Sequence, residues 1–132
     1  EIAEAARPED FDRAFATLRR ARAEALLVTA SPIYLANVKD IVARSQAAGW
    51  AAVCEWQEMA RAGCLAGFGP TIGELRTRVG AIVAQVLRGV PPGEIPIEQP
   101  TRFELTLNLS AARALGLSVP KPLLLRADEV ME

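Results

Sequence analysis

The stretch ALLVTASPIYLANVKDIVARSQAAGWAAVCEW, residues 25–56, decides the fold class of this chain. It begins and ends with short apolar runs typical of buried strands, and the residues between them carry apolar side chains at helical spacing. Ser31 and Pro32 stand where a helix begins, and Gly49 stands where it ends. This order predicts two parallel strands joined by a helical crossover.

The same alternation extends to both sides of that stretch. We predict strands at residues 25–29, 51–55 and 64–67, and helices at residues 8–22, 32–48 and 71–88 that cover the sheet they form. Strands that alternate with helices predict an α/β fold, here a three-layer, Rossmann-like lobe whose parallel sheet is flanked by helices.

The pattern changes after residue 90. VPPGEIPIEQP predicts an extended linker, and RFELTLNL alternates apolar and polar residues as a strand with one wet face does. We expect residues 102–109 to leave the sheet and reach toward an absent lobe, or to pair with another chain. The chain thus divides into an α/β ligand-binding lobe, residues 1–90, and a crossover linker with a C-terminal segment that returns toward a missing N-terminal lobe, residues 91–132.

Composition narrows the classes of function. The chain has 132 residues, 51% of them hydrophobic, with a net charge of −1, which favours one globular domain without a nucleic-acid surface. The absence of histidine removes Ser-His-Asp and Cys-His catalysis and His-ligated metals, and we predict no cofactor and no metal site. Cys54 and Cys64 are expected at opposite sheet edges, as buried thiols without a disulfide.

The glycine-rich stretch CLAGFGPTIGELR does not fit a phosphate site. The lysine and hydroxyl residue of a P-loop are missing, the spacing departs from a dinucleotide fingerprint, and Glu74 would place a negative charge beside the phosphate. Gly67 and Gly69 are predicted to turn the strand sharply into the next helix.

The loops that follow the three parallel strands predict a ligand site, because ligands of open α/β sheets bind beyond the strands' carboxyl ends. Each loop carries one aromatic residue, beside polar groups and bare glycine backbone, which suits a small organic ligand. The alternative is that Tyr34 and Trp56 pack into the core. The candidate residues are Ser31, Tyr34, Glu55, Trp56, Gly67, Phe68 and Gly69.

Four stretches, ALLVTASPIYL, CEWQEMARAGCLAGFGPTIGELRTRVG, LRGVPPGEIPIEQPTRFELTLNLSAARALGL and LLRADEVME, resemble the C-terminal part of ABC-transporter substrate-binding proteins of the type I periplasmic-binding fold. EQPTRFELTLNLSAARALGL is the most specific of these motifs. The resemblance implies two lobes with a ligand, in some members an amino acid, held in the cleft between them. It also implies a protein that is not an enzyme. It adds Pro32 to the site, and Phe68 stands where the family often has tyrosine, so a hydroxyl contact is lost there.

The resemblance also implies a setting: a periplasmic or otherwise extracytoplasmic protein whose partners are a small-molecule ligand and the membrane permease of an ABC transporter. Because the chain starts at Glu1 and not at methionine, we expect it to be a piece of a longer protein whose targeting segment is not included. Two alternatives stay open: the effector-binding domain of a transcriptional regulator with this fold, and a small α/β enzyme of the racemase type.

Overall fold

A computed structural model describes all 132 residues and shows one five-stranded sheet in the order β1-β2-β3-β4-β5. The strands are β1 (Ala25–Val28), β2 (Ala51–Cys54), β3 (Ala66–Gly69), β4 (Glu104–Asn108) and β5 (Glu129–Met131). The pairs β1–β2 and β2–β3 are parallel, so the predicted parallel sheet and α/β fold class are confirmed.

Seven α-helices accompany the sheet: α1 (Phe11–Arg20), α2 (Pro32–Ala36), α3 (Val38–Ala47), α4 (Gln57–Arg61), α5 (Ile72–Leu87), α6 (Leu109–Ala114) and α7 (Lys121–Leu124). The predicted helix at residues 32–48 is interrupted at Asn37, whose side-chain Nδ2 donates to the Ile33 carbonyl at 2.8 Å. None of the helices combines the length and the apolar character needed to cross a bilayer.

The hydrophobic core lies between β1, β2 and the helices α1 and α3. Phe15 of α1 stacks on Trp50 with ring centroids 5.9 Å apart, and Ile41 and Val42 of α3 pack in the same cluster. The apolar stripes read from the sequence are therefore the buried faces of these two helices, which hold β1 and β2 in place.

Helix α5 differs from the prediction that it covers the sheet. None of its residues is buried, and Val79, Ile82, Val83 and Val86 are all exposed. Its N-terminus matches the sequence, since Thr71 accepts a hydrogen bond from the Glu74 amide at 3.2 Å. Local signals set where α5 begins, but they do not specify which surface its apolar side chains meet.

Strand β4 also departs from the prediction, because it extends the sheet as the antiparallel neighbour of β3. Two of the three polar residues on its predicted wet face are buried: Thr106 is 1% exposed and Asn108 is 7% exposed. The Asn108 side chain donates to the Ala60 carbonyl and accepts from the Ala111 amide, both at 2.9 Å. Polar partners from α4 and α6 thus satisfy Asn108 without water, and Glu129 of β5 accepts a hydrogen bond from the Thr106 hydroxyl. The division of the chain at residue 90 stays a prediction.

Cys54 and Cys64 form a disulfide, so the prediction of two free thiols is wrong. That prediction placed Cys64 at the start of a strand, but β3 begins two residues later, at Ala66. Cys64 therefore belongs to the turn after α4, and its Cα lies 6.3 Å from that of Cys54, a separation that a disulfide spans.

Candidate ligand-binding site

Three parallel strands and the start of β4 meet at one edge of the sheet. The residues that follow β1 and β2, Ser31 and Glu55, lie at the carboxyl ends of these strands, and Phe68 lies near the end of β3. Because β4 is antiparallel, its first residue, Glu104, pairs with Gly69 at this same edge. Ligands of α/β sheets bind at this edge, which makes it the candidate site.

Glu55 links the loops after β1 and β2. Its Oε2 accepts a hydrogen bond from the Ala30 amide at 2.6 Å, and no hydrogen bond occupies its Oε1. Ser31 caps α2, since its Oγ accepts from the Ile33 amide at 3.3 Å, and Pro32 takes the first helical position. The Ser31 hydroxyl keeps its own proton for donation. One carboxylate oxygen, in the loop after β2, and one hydroxyl donor, in the loop after β1, are therefore available to a ligand.

Gly67 and Gly69 act by close approach and not by making a sharp turn. Both lie within β3, and neither has a positive φ. A Cβ atom on Gly67 would lie 2.5 Å from the Trp56 carbonyl oxygen, and one on Gly69 would lie 2.1 Å from the Glu55 carbonyl oxygen. The missing side chains let the Glu55–Trp56 backbone pass directly over the end of β3.

Phe68 is the predicted site aromatic whose side chain is exposed at this edge of the sheet. Its side chain is 56% exposed and stacks on Phe103, which is 50% exposed, with ring centroids 5.9 Å apart. The alternating pattern of residues 102–109 predicts only that Phe103 lies on the apolar face of a strand. Its place at the site follows from the antiparallel pairing of β4 with β3, which no local pattern indicated.

Tyr34 and Trp56 are less exposed than a ligand site lined by all three predicted aromatic residues would require. The Tyr34 hydroxyl donates to the Ala5 carbonyl at 3.0 Å, and its ring lies 6.3 Å from that of Phe11. Trp56 is half-buried and packs against the hydrophobic core. Of the three predicted aromatics, only Phe68 is openly exposed at this edge, and the ligand role of all the candidate residues stays a prediction.

Polar residues of α4 and β4 that sequence reasoning missed also reach this edge. The Gln57 side chain donates to Glu104, and Arg102 forms an ion pair with the same carboxylate at 2.6 Å. Farther along the sheet, the hydrogen bond from the Arg61 guanidinium lowers the pKa of Glu129 and ties β5 to α4. Arg102 thus balances the negative charge of Glu104 within the chain, whereas Glu55 accepts a hydrogen bond only from a backbone amide.

Comparisons with known proteins agree with this fold. The family model described as ABC transporter substrate binding protein matches residues 3–131. Comparison with curated proteins found no match.

Three solved structures share the fold. The ABC domain in complex with L-Trp from Streptococcus pneumonia is 20% identical, with a TM-score of 0.87 over 99% of this chain and 45% of that one. A conserved domain protein from Vibrio cholerae is 18% identical, with a TM-score of 0.86 over 96% of this chain and 42% of that one.

The third is the ligand-free, open structure of a substrate binding protein with adhesive properties from Clostridium difficile. It is 15% identical, with a TM-score of 0.60 over 93% of this chain and 41% of that one. The chain therefore spans less than half the length of these solved structures. Since the family model covers nearly every residue, the chain belongs to the ABC transporter substrate-binding protein family.

Proposed function

We propose that this chain is one lobe of the solute-binding component of an ABC import system, and that it holds an amino acid in a cleft closed by a second lobe. The observation that carries the proposal is the sheet edge at which Ser31, Glu55 and the stacked Phe68–Phe103 pair lie at or beside the ends of neighbouring strands. Convergent polar groups beside exposed apolar surface are what a small-molecule site requires.

The chemistry of the edge suits a zwitterion with an apolar side chain. The unoccupied Oε1 of Glu55 is an acceptor for an ammonium group, and the Ser31 hydroxyl is a donor for a carboxylate. The stacked rings of Phe68 and Phe103 offer a surface for the ligand's side chain. The L-Trp complex of the similar Streptococcus structure supports this ligand class.

The proposed setting is the periplasm or another extracytoplasmic space, with a membrane permease as partner. The buried disulfide between Cys54 and Cys64 supports this setting, because disulfides form and persist in oxidising compartments. The role is binding without catalysis, as is typical of substrate-binding proteins.

Calorimetry with the twenty L-amino acids tests the proposal on a polypeptide that carries both lobes. Glu55→Gln is the informative variant, because the amide oxygen can still accept from Ala30 while the charge that would attract an ammonium group is gone. We expect amino-acid binding that weakens about tenfold or more in this variant, which corresponds to about 1.4 kcal/mol.

Glu58→Gln is the matched control, since Glu58 undergoes the same change three residues away on α4 and takes part in no ion pair. Its affinity should equal that of the unmodified protein. Failure of every amino acid to bind would contradict the proposed ligand class, and equal affinity of the Glu55→Gln variant would contradict the role of Glu55.

A further inference from the structure

Two linked cysteines border the segment that carries the candidate ligand residue Glu55. Cys54 ends β2 and directly precedes Glu55, and Cys64 lies in the turn between α4 and β3. The disulfide between them closes residues 55–63 into a loop that contains α4. Cys54 is 1% exposed and Cys64 is 0% exposed, so the crosslink is shielded from solvent and is a permanent part of the fold.

Backbone pairing does little to hold the end of β2 against β3. The β2–β3 ladder has only two paired positions, of which the last joins Cys54 to Gly67. The other ladders of the sheet have three or four. Glu55 lies beyond the last pair, so its position depends on contacts outside the ladder.

The segment between the cysteines is bonded within itself. The Trp56 carbonyl accepts from the Met59 amide at 3.0 Å where α4 begins, and the Met59 carbonyl accepts from the Cys64 amide at 3.0 Å after α4 ends. Met59 is fully buried. Glu55 is therefore connected to the disulfide from both sides, directly through Cys54 and indirectly through α4 and Cys64.

One contact reports where Glu55 is held. Its Oε2 accepts from the Ala30 amide at 2.6 Å, across 25 positions of sequence. No other side-chain hydrogen bond holds Glu55. Hydrogen bonds weaken steeply with distance and angle, so a small displacement of the end of β2 would break this one.

We propose that Cys54 and Cys64 are positioning residues of the proposed ligand site: their disulfide keeps Glu55 where its Oε2 meets the Ala30 amide and its Oε1 is left for the ligand. The placement of Glu55 follows from the fold alone. Only the consequence for ligand affinity rests on the proposed function.

Hydrogen exchange of the Ala30 amide tests the placement of Glu55 without any ligand. NMR measures it in a polypeptide that carries both lobes, with the disulfide intact and in the double variant Cys54→Ala, Cys64→Ala. We expect exchange at Ala30 to be at least about tenfold faster in the variant, because an amide that loses its acceptor opens to water. Glu55→Ala, which removes the acceptor itself, gives the rate for complete loss.

The Leu105 amide is the matched control. It donates to Asp128 Oδ2 at 2.8 Å, so a distant carboxylate holds it too, in a part of the sheet that the disulfide does not join. Its exchange should stay within about twofold, since loss of positioning acts only at Ala30 and a general loss of stability speeds both amides. If the first variant does not fold, Cys54→Val with Cys64→Ala refills more of the buried volume and carries the same comparison.

Calorimetry then tests whether the crosslink acts through Glu55. The probe is the L-amino acid that the unmodified two-lobed protein binds most tightly among the twenty. We expect the double cysteine variant to bind it at least about tenfold more weakly, and Glu55→Gln to change affinity less than about threefold in that background. The two effects are not additive because a displaced Glu55 has little contact left to lose.

Unchanged exchange at Ala30, or equal acceleration at Ala30 and Leu105, would overturn the proposal and leave the proposed function intact, since no ligand is involved. Additive effects of the crosslink and of Glu55→Gln on affinity would also overturn it. If no amino acid binds the unmodified protein, the proposed function fails, and exchange at Ala30 still decides whether the disulfide positions Glu55.

Discussion

Gly69 is the residue at which a single methyl group should disturb the site most. An added Cβ would lie 2.1 Å from the Glu55 carbonyl oxygen, and a backbone atom cannot move aside as a flexible side chain can. Gly69→Ala should therefore lower the free energy of unfolding by about 1–3 kcal/mol, as overpacking does, and displace Glu55 from the Ala30 amide.

Urea unfolding measures this effect, and Gly73→Ala is the matched control. Gly73 lies in α5 with no atom within 4 Å of an added Cβ, so the same methyl group should be neutral or stabilise the helix by up to about 1 kcal/mol. Equal stability of the two variants would show that the β2–α4 backbone does not lie against β3 as described.

Among the elements, α4 is enclosed by the disulfide, which joins the end of β2 to the turn before β3. Cys54 and Cys64 are separated by 10 positions and are almost fully buried. Closing a loop of this length restricts the unfolded chain and should contribute about 2–3 kcal/mol. Reduction with a dithiol in urea should lower the unfolding midpoint of the native chain accordingly.

The double variant Cys54→Ala, Cys64→Ala supplies the control for this prediction. Its unfolding midpoint should lie below that of the oxidised chain and should not respond to the reductant. A native chain that keeps its midpoint after reduction would show that the crosslink adds nothing to the stability of this region.

Helix α5 exposes an apolar stripe on an otherwise folded chain. Val79, Ile82, Val83 and Val86 recur at helical spacing, and each is at least 38% exposed. Exposed patches of this kind promote association. We expect the double variant Ile82→Gln, Val86→Gln to reduce self-association in sedimentation velocity without lowering the unfolding midpoint, since it removes no buried contact. A clear loss of stability would show that α5 packs against the rest of the chain.

At the scale of the whole molecule, the chain carries only part of the proposed cleft. A micromolar ligand corresponds to about −8 kcal/mol of binding free energy, and one lobe keeps only part of the contacts while bearing much of the cost of immobilising the ligand. We therefore expect the isolated chain to bind amino acids with a Kd of about a millimolar or weaker.

Calorimetry on the 132-residue chain measures this directly. Tight binding by the isolated chain would contradict the two-lobe arrangement, because the site would then be complete within these residues.

The amino-acid sequence by itself determined the parallel core of the sheet and the helices around it. Apolar runs at residues 25–28 and 51–54 and the helical stripes of α1 and α3 are patterns of neighbouring residues. The caps at Ser31 and Thr71 act within one turn of their own helices. All of these can be read from a short window, since their physical causes act over a few residues.

Tertiary structure alone decided the features that join distant parts of the chain. The polar face of β4 is buried because α4 and α6 supply hydrogen bonds to Asn108, and Phe103 reaches Phe68 because β4 runs antiparallel to β3. The disulfide can form because Cys64 lies in the turn before β3, and β3 begins two residues later than the sequence pattern predicts. Each of these contacts depends on how whole elements pack against one another, and the local pattern around any single residue does not contain that information.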